Sequence, residues 1–333
     1  MNCSVSSASA TGAVTLNLFS DMSHLAVDIE FLRKRYSNGV EALAGVALQV
    51  PRGSIFGLIG PNGAGKSTMV KSLLTILRPT ECRGTMLGEP IGKKSTLAKV
   101  GYLPEHATFP EYLTGRQVIE YSAGLAHISR RACKDRVDGL LYQVGMSEAA
   151  SRTMRTYSKG MKQRIGLAQA LVNDPEAVFL DEPTDGVDPE GRIDFKRMIS
   201  ALREEGRTVF VNSHLLAEVE QIADRVAILS KGKIVKQGLV SDLTRREARY
   251  ELRVQGTLPA ELMIWCSERG ISIQGNVLSL TAESAIAVQP LIDKLRSSLV
   301  VINELKEDRF SLEELFLQTV MEQRQHPNAL AAR

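Results

Sequence analysis

The chain has 333 residues, 44% of them hydrophobic and 24% charged, with 41 lysines and arginines against 38 aspartates and glutamates and a formal net charge of +3. These values describe a globular chain of about two domains, able to bury a sizeable core, and exclude a largely disordered one. No run of about 18 apolar residues is present, which excludes a membrane-spanning helix, and no basic stripe of the kind nucleic-acid binders carry is visible along the sequence.

Residues 1–24 are rich in Ser, Ala and Thr and read as a disordered tail without the basic start of a signal peptide. Met22 offers an alternative start. Cys3, Cys82, Cys133 and Cys266 are scattered, with neither metal nor disulfide spacing, which fits a reducing compartment. Residues 26–33 alternate, with Val27, Ile29 and Phe31 on one side and Asp28 and Glu30 on the other, the pattern of a half-buried strand. A second β region covers residues 48–60 and ends in a short apolar run. Glycine-rich sequence follows, then a helix from about residue 66 to 77, stopped by Pro79. The segment 105–160 reads as a helix-rich insertion. Residues 178–180 and 208–212 are buried strands with helices between them, and 227–230 and 233–236 flank Gly232 as a hairpin. Strands alternating with helices predict an α/β fold with a largely parallel sheet.

After about Ser241 the pattern changes. Strand at 250–254, helix at 259–269, strands at 271–273 and 277–281, helix at 284–298, strand at 300–305 and helix at 311–322 make the order β-α-β-β-α-β plus a helix. That order predicts a small α+β, ferredoxin-like domain. The predicted division is a tail over 1–24, a large α/β domain over 25–240, an accessory domain over 241–323 and a tail over 324–333.

The segment Gly60-Pro61-Asn62-Gly63-Ala64-Gly65-Lys66-Ser67-Thr68 satisfies G-x-x-x-x-G-K-[ST] between a strand and a helix, the context of a phosphate-binding loop. Its glycines let backbone N–H groups turn inward around phosphate oxygens, and the following helix aims its positive end at the same charge. Lys66 reaches the β- and γ-phosphates, and the Ser67 hydroxyl is placed for Mg²⁺. Ala177-Val178-Phe179-Leu180-Asp181-Glu182 is an apolar strand ending in two acids, at the end where parallel sheets collect ligands. Asp181 there can hold Mg²⁺, and Glu182 can orient an attacking water.

Tyr157-Ser158-Lys159-Gly160-Met161-Lys162-Gln163-Arg164 precedes a helical run, with Ser158 as its N-cap. This segment resembles the LSGGQ signature of ABC ATPases and lies 23 residues before Asp181, as in that family. Gly186-Val187-Asp188 is similar to the D-loop, and His214 after the strand to the switch histidine. Val100-Gly101-Tyr102-Leu103-Pro104-Glu105 occupies the Q-loop position. Tyr36 is similar to the aromatic residue that stacks on adenine, although a plain strand-end aromatic has the same appearance. Two departures stand out: Lys159 and Met161 replace a Gly and the Gln of the signature, and Glu105 replaces the Q-loop Gln, a carboxylate that can still ligate Mg²⁺ but adds negative charge near ATP.

Shorter motifs, among them Ser311-Leu312-Glu313-Glu314-Leu315-Phe316, resemble the ATP-binding subunits of type-2 bacterial ABC exporters. The resemblance implies a P-loop NTPase fold of ABC type with a helical insertion, binding ATP and Mg²⁺ and hydrolysing ATP. It implies two chains head to tail, each ATP lying between one P-loop and the Ser158 and Gly160 of the other chain. It further implies separate integral-membrane permease subunits, a place on the inner, cytoplasmic face of the membrane, and no nucleic-acid partner. An importer ATPase shares this chemistry. A soluble ABC protein acting on ribosome or DNA fits less well, because only one P-loop is present and no long coiled coil separates Lys66 from Asp181. A nucleotide-binding regulator without turnover is disfavoured by the Asp181-Glu182 pair and His214.

Overall fold

The computed structural model describes residues 24–244, 248–256, 258–282, 285–308 and 311–325. Met22, Cys3 and the Arg245-Arg246 pair lie outside them, as do nearly all of the two predicted tails. The chain begins with β1 (Leu25–Arg35) and β2 (Glu41–Pro51), then β3 (Ile55–Ile59) and α1 (Lys66–Leu73), followed by β4 (Glu81–Met86), β5 (Glu89–Pro90), α2 (Lys94–Leu97) and β6 (Val100–Leu103). The insertion supplies α3 (Gly115–Leu125) and α4 (Arg130–Gln143), and α5 (Lys159–Ala170) leads back to β7 (Ala177–Asp181). Then come α6 (Pro189–Glu204), β8 (Thr208–Ser213), α7 (Leu216–Ile222), the hairpin β9 (Arg225–Ser230) and β10 (Lys233–Leu239), and α8 (Val240–Thr244). The remainder is β11 (Ala248–Gln255), α9 (Ala260–Glu268), β12 (Ser272–Gln274), β13 (Val277–Ala282), α10 (Gln289–Ser297), β14 (Val301–Asp308) and α11 (Leu312–Gln325).

A six-stranded sheet in the order β10-β9-β3-β8-β7-β6 forms the centre, parallel except for β10 at its edge. The first two strands do not join it. They form a separate antiparallel sheet with the next two, in the order β2-β1-β4-β5, beside the largely parallel sheet expected. Central strands buried on both faces divide their side chains by period two. Phe56, Leu58, Phe179 and Phe210 face α1 and the antiparallel sheet, while Ile55, Ile59, Val178, Leu180 and Val211 face α5, α6 and α7.

Three local expectations are corrected. In β1 the predicted side Val27, Ile29, Phe31 breaks, because a register shift between Ile29 and Leu32 buries Leu32 and leaves Phe31 half-buried. Helix α1 ends at Leu73, well before Pro79: Thr75 takes φ +58°, and the Leu77 N–H donates back to the Lys71 carbonyl at 3.0 Å. The helix expected over 284–298 begins only at Gln289, after a 3-10 turn Ala285–Val288, with Pro290 setting its first turn. Strands β4 and β5 were not anticipated; β4 alternates Glu81, Arg83 and Thr85 with Cys82, Gly84 and Met86 over only six residues.

The last strands form an antiparallel sheet, β12-β13-β11-β14, with its own apolar cluster that includes Leu252, Leu262, Cys266, Leu278 and Leu295. Helix α11 leaves this sheet and packs its buried Leu312 and Leu315 into the core that also holds Val219 of α7 and Val240 of α8. The Leu312 N–H donates to Glu220 at 2.9 Å. Among the described residues no helix is long and apolar enough to cross a membrane.

Candidate nucleotide site

The loop between β3 and α1 is the centre of the site. Gly65 takes φ +109°, and a Cβ there would stand 2.4 Å from the Ala42 carbonyl oxygen, so the turn into α1 requires glycine. Lys66 is buried, and its ammonium donates back to the Gly60 carbonyl at 2.9 Å and the Pro61 carbonyl at 3.5 Å. Burial lowers its pKa, against the opposing fields of Glu182, Asp181 and Glu105.

The adjacent ends of β7 and β8 bring the acids to this loop. Ser67 donates from Oγ to Asp181 Oδ1 at 3.2 Å, and the fully buried Asn212 donates to the same oxygen. Burial raises the Asp181 pKa, while the hydrogen bonds from Asn212 and Ser67 oppose the shift. Asp181 Oδ2 is buried and has no hydrogen-bond partner among the described residues. A carboxylate oxygen left so, next to a serine hydroxyl, fits a hard divalent cation that takes its remaining ligands from phosphate and water. Among the described residues no group of three or more His, Cys, Asp and Glu side chains could hold a metal by themselves.

Glu182 takes φ +49°, and this left-handed turn at the end of β7 sets its carboxylate against His214. Glu182 Oε2 lies 2.7 Å from His214 Nδ1 and also accepts from the His214 N–H at 3.2 Å. A cavity of about 690 Å³ opens over these groups, a volume usual for a small-molecule site. Asn62, Gly63, Gly65, Lys66, Ser67 and Thr68 line it, with Tyr36 and Ala42 from the N-terminal sheet and Glu105, Glu182, Asp185 and His214 from beyond the parallel strands. The Tyr36 hydroxyl is 3.3 Å from Thr68 Oγ1. Glu105 lines the cavity, and its backbone carbonyl accepts from Gln163 of α5 at 3.4 Å.

The remaining predicted residues stand elsewhere. Gly60, Pro61 and Ala64 shape the loop without lining the cavity. Ser158, Gly160 and Asp188 lie outside it in this chain. Ser158 caps α5 by accepting from the Met161 N–H at 3.2 Å, and Asp188 caps α6 by accepting from the Gly191 N–H at 3.1 Å. An accepting serine keeps its own O–H free to donate, so Ser158 retains a proton for an anion. Sequence reasoning missed Asn212, Asp185 and Ala42. For Asn212 the signal was a lone amide closing an apolar strand; for Ala42 there was none.

A P-loop, a strand-end acid bonded to its serine, and a second acid held against a histidine define a nucleoside-triphosphate-hydrolysing protein. The family profile described as ABC transporter matches residues 43–185. An uncharacterized ABC transporter ATP-binding protein of Synechocystis sp. is 39% identical over 296 residues, which cover 85% of this chain and 79% of that protein. A daunorubicin resistance ATP-binding protein of Streptomyces coeruleorubidus is 32% identical, over 89% of this chain and 93% of that protein. A solved structure described as the ATP binding subunit of an ABC transporter superposes with a TM-score of 0.60 at 26% identity, over 66% of this chain and 92% of that one. The chain belongs to the ABC transporter ATP-binding proteins, the cassettes that bind and hydrolyse ATP to power transport.

Proposed function

We propose that this chain is the ATP-hydrolysing subunit of a membrane exporter, acting as a pair of identical or related ATPase chains beneath separate integral-membrane permease subunits on the cytoplasmic face. Export rather than import is supported by the likeness to a daunorubicin resistance protein over nearly the whole chain. The observation that carries the reading is the single cavity joining Lys66, Ser67 beside Asp181, and Glu182 beside His214, with Ser158 and Gly160 outside it.

In this reading Tyr36 stacks on the adenine, and the loop N–H groups and Lys66 hold the phosphates. Lys66 exchanges its bonds to the Gly60 and Pro61 carbonyls for charge-assisted bonds to phosphate. Ser67 and Asp181, with Glu105 at the same cavity, would hold Mg²⁺, which would supply neutralisation of the phosphate charge. Glu182 accepts from the attacking water and orients it. His214, fixed by its contact with Glu182, donates to the γ-phosphate. Ser158 and Gly160 meet the nucleotide of the other chain, and Asp188 lies at the same junction. ATP thereby links two chains, and hydrolysis removes the link. Residues 241–323 act as an accessory domain of the cassette.

Glu182→Gln tests this directly. It keeps the shape of the site and removes the carboxylate. Hydrolysis should fall by about 10²- to 10⁴-fold, the usual contribution of a positioned base, while ATP binding persists and a species of twice the chain mass accumulates in gel filtration with ATP. Turnover at the wild-type rate would overturn the assignment.

A further inference from the structure

The signature departs from the general pattern at Lys159, and the structure gives that departure a partner. Lys159 is the first residue of α5, where a cation opposes the positive end of the helix. Its ammonium lies 2.6 Å from Asp185 Oδ2. Asp185 in turn lines the nucleotide cavity with Glu182 and His214. The lysine stem crosses Gly186, which takes φ +65°: a Cβ there would stand 2.6 Å from Lys159 Nζ and 2.8 Å from its Cδ. A side chain at Gly186 would have to displace this flexible lysine end, and the left-handed φ itself favours glycine.

The loop between Glu182 and Asp188 is tied in several directions. The Asp185 N–H donates to the Glu182 carbonyl at 3.2 Å, and the Val187 N–H to the Thr184 carbonyl at 3.2 Å. Thr184 donates to Glu218 of α7 at 2.6 Å, and Arg192 of α6 donates to the Val187 carbonyl at 2.8 Å. Lys159 adds the ionic link to α5. The same hydrogen bond holds the Asp185 carboxyl below its ordinary range.

We propose that Lys159 is a positioning residue for hydrolysis: through Asp185 it ties the loop that follows Glu182 to the first turn of α5. The pocket of one chain and the α5 face it offers to the other chain's nucleotide then move together. The proposal rests on the reading of Glu182 as the water-orienting carboxylate and of Ser158 and Gly160 as the partner-facing pair. An exposed ion pair contributes little to stability, so its loss acts on rate while the fold persists.

The test is steady-state hydrolysis by the full chain across MgATP concentrations. Lys159→Met keeps the stem and removes the charge. It should lower kcat about tenfold and leave KM within about twofold, the pattern of a misplaced catalytic group. Asp185→Asn reads the same link from its other end. The double variant should fall no further than the worse single, because both remove one interaction. Lys159→Arg should recover most of the loss. Added salt should narrow the gap between wild type and Lys159→Met, since salt screens an exposed pair. A kcat for Lys159→Met within twofold of wild type, or a double variant whose loss is the product of the singles, overturns the proposal. If Glu182→Gln silences the enzyme while Lys159→Met matches wild type, only the tether fails. If Glu182→Gln still turns over, the reading of the pocket fails with it.

Discussion

Asp181 shows how one residue trades stability for ligand binding. Its ordinary pKa is 3.8, and burial raises it in the fold. The folded chain thus binds the proton more tightly than the unfolded one, and stability falls as pH rises from 3.8 through the raised value. Above that window the full cost of a buried charge remains, in the absence of a cation to offset it. Asp181→Asn removes that cost and keeps an oxygen for Asn212 and Ser67 to bond. Without nucleotide, the variant should melt above wild type near neutral pH. The difference should close as pH falls below 3.8, where Asp181 is protonated in both states. Paired thermal melts across pH check this; a variant that melts below wild type at neutral pH contradicts it. Lys66 follows the same logic, folded back onto two loop carbonyls that are weaker partners than phosphate.

At the scale of elements, three adjacent strands are joined by aromatic contact. Phe210 of β8 lies between Phe56 of β3 and Phe179 of β7, with ring centroids 5.4 and 5.1 Å away. These are the strands that deliver the P-loop, Asp181 and Asn212 to one place. Phe210→Ala should cost about 3–5 kcal/mol of unfolding free energy, as for other buried aromatics, read as a lower midpoint in denaturant. A loss below about 1 kcal/mol, the typical effect of an arbitrary substitution, would mean that the stack does not hold the strands. Elements of this kind were legible where burial was two-sided: β3, β7 and β8 read as short apolar runs. They were poorly legible where tertiary contact overrode pattern. In β1 a bulge reversed the predicted face after Ile29, and β4, with Glu81, Arg83 and Gly84 in its six residues, is held as a strand by pairing with β1 and β5.

Over the whole molecule, the C-terminal segment returns to the ATP-binding region. Leu312 is fully buried in the core shared with α7, the helix that follows His214. Leu312→Ala should therefore destabilise that region, far from it in sequence, by about 2–5 kcal/mol. Thermal unfolding followed with and without ATP checks this; an unchanged midpoint would show that α11 is dispensable to the core.

What the sequence alone determined was local chemistry: the loop from Gly60 to Thr68, the acids ending an apolar strand, and the serine cap of α5. Each depends on residues adjacent in the chain, whose spacing and backbone preferences set the geometry. Only the tertiary structure decided what meets across the chain. The sheet order β10-β9-β3-β8-β7-β6 sets the end of β8 beside β7 and so puts Asn212 on Asp181 and His214 on Glu182. It leaves Ser158 and Gly160 outside the pocket and gives Lys159 its partner in Asp185. Those juxtapositions follow from which apolar faces bury one another, and strand order along a sheet is not written in the spacing of any one motif.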